Sequence, residues 1–327
     1  MKVPRSVLFL AKGCVSAGLV AWLISKVGLA SVWQQAQGLR PDMAAVAILL
    51  MLVQIFLGAL RWGVLLRALA GPVSGRQTLS VYWISNFFAQ VLPGAVGGDA
   101  VRMWFTRKAG LPLSAAIDSV LLERGITVLA LVCLVVATQP FLLARVPGIP
   151  GSWIFPALLA LGFLSVAALC VLDRLPERFR HLRVVRGLAQ LAVDSRRVFF
   201  APRFGLFALV VALIGNINLA LSAYFLARGL GLDVAAVDCM VLIPPIILIM
   251  TLPISIAGWG LREGAMVTAF GFLGIAPGPA LTLSVLYGFV SLLAALPGGA
   301  VFLFSEGRRA AAEAALAKEA MDEIPCP

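Results

Sequence analysis

A chain of 327 residues that is 61% hydrophobic and only 13% charged, with a mean hydropathy of +1.01, has too little polar surface to cover a water-soluble globule of its size. Lipid must be its solvent. The net charge of +11 invites a nucleic-acid reading, but the basic residues lie between apolar segments and form no polar domain of their own, a pattern that sets membrane orientation and excludes nucleic acid as a partner.

A helix needs about 20 apolar residues to cross a hydrocarbon core of about 30 Å, and it satisfies its own backbone there. The first such run, residues 6–25, follows Lys2 and Arg5. Lys12 interrupts it and no small-residue cleavage site follows, which favours an anchored helix over a cleaved signal peptide. Residues 31–39, with Trp33 and closed by Arg40 and Pro41, read as a helix lying in the interface. A second span over 43–60 ends in Arg61 and Arg67, before a basic, turn-rich loop with Gly71, Pro72, Gly75 and Arg76. Residues 79–110 differ: a short apolar run with Asn86 and Gln90 breaks at LPGAVGGD, residues 92–99, and resumes with Arg102, Arg107 and Lys108. Neither half is long enough to cross.

Spans over 115–138, with Asp118, Glu123 and Arg124 near the start, and over 153–172 flank a Pro- and Gly-rich piece at 146–151. Residues 173–203 are polar, hold eight arginines and form the largest extramembrane segment. A fifth span covers 204–226, with Asn216 and Asn218 inside it. Residues 239–273 are again broken, at 252–260, and a last span over 279–304 leads to a tail, 306–327, whose Ala/Glu pattern suggests a short solvated helix. Five cysteines without a CxxC pair argue against a disulfide scaffold or zinc site. His181 sits among arginines and is assigned no chemistry, so no metal and no cofactor are expected.

The two breaks correspond. Leu92-Pro93 and Leu252-Pro253 are each followed by glycine five residues after the proline, Gly98 and Gly258, and by arginine nine after it, Arg102 and Arg262. The positive-inside rule puts 173–203, the tail and the Arg61–Arg76 loop in the cytoplasm, leaving the less basic 26–41, 139–152 and 228–237 outside. Each broken segment must then return to its own face, the first to the cytoplasm and the second to the outside. The expected fold is therefore all-α: a polytopic membrane bundle of about six full spans plus two oppositely oriented re-entrant hairpins. It is one transmembrane domain, 1–305, with an inverted repeat (43–139 and 204–304) and both termini cytoplasmic. Such repeats place a site near the bilayer midplane.

Proline removes a backbone donor and glycine tolerates positive φ and close backbone approach, so Pro93 and Pro253 with Gly97, Gly98 and Gly258 suit hairpin tips. The half-helix restarting after each tip offers unpaired N–H groups and a positive dipole end to an anion. Arg102 and Arg262, one turn further, can give bidentate donors to phosphate. Charges in such elements cost about 2.5–3.5 kcal/mol each and normally find partners, which singles out Asp99, Arg102, Glu123, Arg124, Arg262 and Glu263. Mutual pairing that locks the hairpins, Glu123 with Arg124 included, is the structural alternative. Asn86, Gln90, Asn216 and Asn218 read as interhelical hydrogen-bonding residues, with a polar translocation lining as the alternative, and Trp83, Trp104 and Trp259 as packing or interface anchors.

NFFAQVLPGAVGGDAVR at 86–102, SVLLERGITVLAL around Glu123 and Arg124, and LPISIAGWGLREGA at 252–265 together resemble the lysylphosphatidylglycerol synthase transmembrane-region family. The resemblance covers most of the chain and implies a flippase-like fold, with Asn86, Pro93, Gly97, Gly98, Asp99, Arg102, Glu123, Arg124, Gly258, Arg262 and Glu263 at family-typical positions. The chain ends about 20 residues after its last span, so the aminoacyl-transferase half of the bifunctional members is expected to be absent. The expected function is lipid translocation across the inner membrane, without enzymatic activity, on a phospholipid or a polyprenyl-phosphate lipid, with homo-oligomerisation left open. No GxxxxGK[ST] loop occurs, which disfavours ATP-driven transport. A membrane-embedded enzyme acting on a lipid phosphate, with Glu123 or Asp99 as base, and a scaffold for a lipid-modifying complex are the competing readings.

Overall fold

In lipid each backbone N–H and C=O must be satisfied within its own segment, and the long apolar runs become helices whose ends follow the sequence punctuation. The computed structural model describes residues 29–91, 96–145, 153–171, 183–251 and 260–322. The expected span at 6–25, the 146–151 piece, His181, and both break tips with Pro93, Pro253, Gly258 and Trp259 lie outside the described residues.

Eleven helices occur among the described residues. α1 is Leu29–Gln37, α2 Pro41–Ala70, α3 Gly75–Val91, α4 Val96–Lys108, α5 Leu113–Arg145 and α6 Ile154–Val171. α7 is Arg183–Phe199, α8 Pro202–Gly229, α9 Ala236–Met250, α10 Leu261–Gly271 and α11 Pro277–Asp322. Four segments are long and apolar enough to cross a membrane, Pro41–Ala70, Leu113–Phe141, Arg203–Gly229 and Pro277–Phe304. The chain is therefore a helical membrane protein. α2 and α8 both begin with proline in the first turn, where its missing N–H and fixed φ fit. α2 stops at Gly71, whose φ of 86° suits the residue without a side chain.

Two boundaries differ from the sequence reading. α2 runs ten residues beyond 60 and carries Arg61 into the bundle, because Arg61 finds an anion there. The tail is no separate helix; α11 continues without a break to Asp322.

α2 and α8 form an antiparallel seam. The Arg40 backbone N–H donates to the Gly229 carbonyl at 3.0 Å, Ser222 Oγ to the Ala47 carbonyl at 3.3 Å, and Asn218 Nδ2 to the Leu50 carbonyl at 2.8 Å and to Gln54 Oε1 at 3.2 Å. Small residues, Ala47, Ala220, Ala223 and Ala227, let the backbones approach. α9, α10 and α11 complete this core with Ile243, Met266, Phe270 and Leu283. A second cluster, Leu65, Leu122, Ile126, Val198 and Ala208, joins α2, α5, α7 and α8.

The short helices pair by their ends. Ser74 and Gln77 at the start of α3 lie beside Thr106 and Ala109 at the end of α4, around a cavity of about 130 Å³. Val237 and Asp238 at the start of α9 lie beside Leu273, just past α10, around a cavity of about 310 Å³. The first pair of ends sits at the Ala70 end of α2, and the second at its opposite, Arg40–Gly229 end.

Candidate functional site

Arg61 lies nine residues before the end of α2 and Glu123 ten residues into α5. At 1.5 Å per residue each is about 14–15 Å along its helix from that end, within a segment long and apolar enough to cross a membrane. At that depth a carboxylate needs partners, and Glu123 has two. Arg61 Nε donates to Glu123 Oε1 at 3.1 Å, with Nη2 on the same oxygen, while Arg102 Nη1 donates to Oε2 at 2.8 Å. Arg102 also donates through Nη2 to Asp99, and Arg124 Nε donates to the other oxygen of Asp99. Three guanidinium groups and two carboxylates thus form one chain of ion pairs across α2, α4 and α5.

Arg61, Asp99, Arg102 and Glu123 are all less than 8% exposed, whereas the Arg124 side chain is 42% exposed. The Arg102 guanidinium lies 5.2 Å from the Tyr82 ring centroid and 5.6 Å from that of Trp62, where the ring faces favour a cation. Trp62 is held in turn by its Nε1 donating to Ser119 Oγ at 3.2 Å. Arg102 Nε is buried without an acceptor.

This charged chain forms one end of a cavity of about 700 Å³. Arg61, Tyr82, Arg102, Glu123 and Arg124 line that end, and Leu129, Val132, Leu158, Leu161, Val166 and Leu248 line the rest. Thr251, the residue after α9, closes it from the other half of the chain. Leu161 is 56% exposed, so the cavity reaches the outer surface of the bundle along α6. Three of the lining hydroxyls are engaged locally: Thr127 donates to the Glu123 carbonyl at 2.7 Å, Ser165 to the Leu161 carbonyl at 2.7 Å and Thr251 to the Leu248 carbonyl at 2.6 Å.

Of the residues singled out in the sequence, Asp99, Arg102, Glu123 and Arg124 come together here. The expected pairing of Glu123 with Arg124 does not form, because both Glu123 oxygens are taken by Arg61 and Arg102; Arg124 turns to Asp99 instead. Gly98 sits where α4 crosses α3, and a Cβ on it would lie 2.5 Å from the Ser85 carbonyl oxygen. Gly97 is half-buried in the same turn. Asn86 Nδ2 donates to the Tyr82 carbonyl of its own helix at 2.9 Å.

Arg262 and Glu263 form a separate, closed pair. Arg262 Nη2 donates to Glu263 Oε1 at 2.6 Å and its Nε to Ser284 Oγ at 3.2 Å, while Glu263 Oε2 accepts the Gly260 N–H at 2.6 Å and caps α10. Both are almost fully buried, outside the lining of the large cavity. Arg61 and Tyr82 were missed: Arg61 resembles a topogenic residue at the end of an apolar run, and no local signal marks a carboxylate 62 residues later. Among the described residues no group of three or more His, Cys, Asp or Glu could hold a metal ion.

Residues 9–299 match the family model described as the lysylphosphatidylglycerol synthase TM region. A UPF0104 membrane protein of Methanothermobacter thermautotrophicus (strain Delta H) is 24% identical over 298 residues, which cover 82% of this chain and 84% of that relative. No solved structure matches the chain.

Proposed function

Because the chain belongs to the lysylphosphatidylglycerol synthase TM-region family, we propose that it is a flippase-like lipid translocator of the plasma membrane that takes a phosphate-bearing headgroup into the charged end of the large cavity. The observation that carries this reading is the cavity's own amphiphilic division. Guanidinium groups line one end, an apolar wall of α5 and α6 lines the other, and Leu161 opens that wall toward lipid, as a headgroup and its chains require.

α3 with α4, and α9 with α10, are read as re-entrant hairpins entering from opposite faces. Their helices have 17, 13, 15 and 11 residues, about 17–26 Å at 1.5 Å per residue, each shorter than the bilayer core. Their paired outer ends fit entry and return on one face. Arg67, Arg76, Arg107, Arg196 and Arg203 stand at helix ends or starts on the side of the Ala70 end of α2, which supports reading that face as cytoplasmic. Before a headgroup arrives, Asp99 and Glu123 hold the arginines; an incoming phosphate displaces a carboxylate from Arg102 and passes between the hairpins. Glu123 receives two guanidinium groups, and a carboxylate so held is a poor general base, which favours a carrier over an enzyme.

Proteoliposomes holding fluorescent phospholipid analogues test this with a membrane-impermeant quencher. Wild-type protein should expose inner-leaflet probe faster than empty vesicles, and Arg124→Gln should slow that exchange at least tenfold while keeping its elution profile. Wild-type rates equal to empty vesicles for phospholipid and polyprenyl-phosphate probes alike would overturn the proposal.

A further inference from the structure

Away from the cavity, two more buried acids meet. α7 is amphipathic, and its buried face carries Leu191, Asp194, Ser195 and Val198, spaced i, i+3, i+4 and i+7. Asp194 is 3% exposed; Asp118 on α5, one turn before the buried Leu122, is 5% exposed. Leu191 and Val198 pack with Leu122 and Ile126 in one apolar cluster, so neither acid is there to meet water. The two carboxyl groups stand within hydrogen-bond reach of each other.

We propose that Asp118 and Asp194 form a proton-binding site, which holds one proton between the two carboxyl groups and, while occupied, fastens α7 to α5. Neither residue lines the large cavity, so the site is independent of the lipid-carrier reading. Asp118 Oδ2 and Asp194 Oδ1 are both buried without a hydrogen-bond partner, whereas the other Asp194 oxygen accepts from Gln190 Nε2 at 3.1 Å. Two ionised carboxylates in contact repel each other and offer only acceptors. A proton taken from solvent turns one of them into a donor to the other, in a charge-assisted O–H···O bond.

The surroundings supply no other donor to this pair among the described side chains. Arg197 Nη1 lies 3.5 Å from Asp194 Oδ1 with its side chain 58% exposed, outside hydrogen-bond geometry, and Arg196 lies about 200° round the helix from Asp194. α7 packs against α2, α5, α6 and α8. Arg61 and Glu123 belong to the chain of ion pairs, Arg67 of α2 and Arg203 of α8 are exposed, and α6 carries no charged residue. A calcium ion takes about six to eight oxygen ligands, and among the described residues no third acidic, histidine or cysteine group joins the pair. Leu158 and Leu161 of α6 line the large cavity, so the proton holds in place a helix that touches the cavity's apolar wall.

Infrared absorption of protonated carboxyl groups and thermal unfolding, both on the purified full chain in detergent from about pH 6 to about pH 9, test the site. Wild type should show a protonated-acid band at the low end that Asp118→Asn and Asp194→Asn each lose, because the amide supplies the donor permanently. Carboxyl groups of the unfolded chain are ionised throughout that range, their ordinary values lying near 4. The folded wild type then binds one proton more than the unfolded chain, so the stability conferred by the pair is largest at the low end and falls as pH rises until the proton leaves. Relative to the Asn variants, the wild-type folding equilibrium constant should fall about tenfold per pH unit while the proton is held, and level off above. A slope shared by wild type and both variants would overturn the site. So would stabilisation of wild type by sodium or calcium ions that both variants lack, which would make the pair a cation site. The wild-type spectrum decides alone where an Asn variant does not fold: no protonated-acid band at the low end overturns the proposal.

Discussion

Glu123 is where α2, α4 and α5 meet, because each of its oxygens holds a guanidinium from a different helix. Removing one member of a buried ion pair costs about 3–5 kcal/mol, since the partner is left uncompensated, whereas removing both is far cheaper. Glu123→Gln should therefore lower stability by about 3–5 kcal/mol, read as the shift in detergent unfolding. Adding Arg61→Met to that variant should recover part of the loss; additive losses would show that Arg61 draws its stability elsewhere. At this scale the sequence was legible in part. Asp99, Arg102, Glu123 and Arg124 could be named because a charge beside a glycine break or near the start of an apolar run stands out. Their partners could not, since a pairing over 62 residues leaves no local trace. Arg262 and Glu263 stood out for the same reason as Arg102, but only coordinates reveal that Ser284 and a close-packed Gly288 shut them in.

α3 and α4 cross so closely at Gly98 that the site depends on the absence of one methyl group. A Cβ there would lie 2.5 Å from the Ser85 carbonyl oxygen and 3.0 Å from the Ala89 Cβ, and backbone cannot swing aside as a long side chain can. Gly98→Ala should cost about 1–3 kcal/mol and slow lipid exchange as α4 shifts Arg102. A Cβ on Gly264 of α10 would meet nothing within 4 Å, so Gly264→Ala should be neutral or stabilise by up to about 1 kcal/mol; thermal unfolding of the two variants side by side is the check. The helices themselves were readable from hydropathy, since a span needs only length and apolar content. What hydropathy misjudged were ends: Arg61, Trp62 and Gly63 look like the close of α2, yet buried partners carry it on to Ala70. A charge ends a span only when water is its best partner.

Taken whole, the molecule pairs α2 with α8 in opposite directions, and the corresponding breaks at 92–99 and 252–260 follow the two halves in the same order. The halves are not equivalent in their arginines: Arg102 borders the large cavity, whereas Arg262 is packed against Glu263, Ser284 and the Gly288 position. Gly288→Ala should displace the Arg262 guanidinium and lower stability by about 1–3 kcal/mol, with smaller change in exchange rate than Arg124→Gln at matched folded fraction. The sequence could suggest the correspondence but not this inequality, which arises from α11, a helix whose neighbours only the fold decides. The seam between α2 and α8 also has a consequence in time. Ala47 and Gln54 wait for Ser222 and Asn218, 175 and 164 residues later in the chain. At about 5–20 residues per second, α2 spends on the order of 10–30 s in the membrane with its mating face open to lipid or to an insertion factor. A nascent chain stalled in that interval offers the cell's quality control an unfinished surface, and each copy of the protein passes through it once.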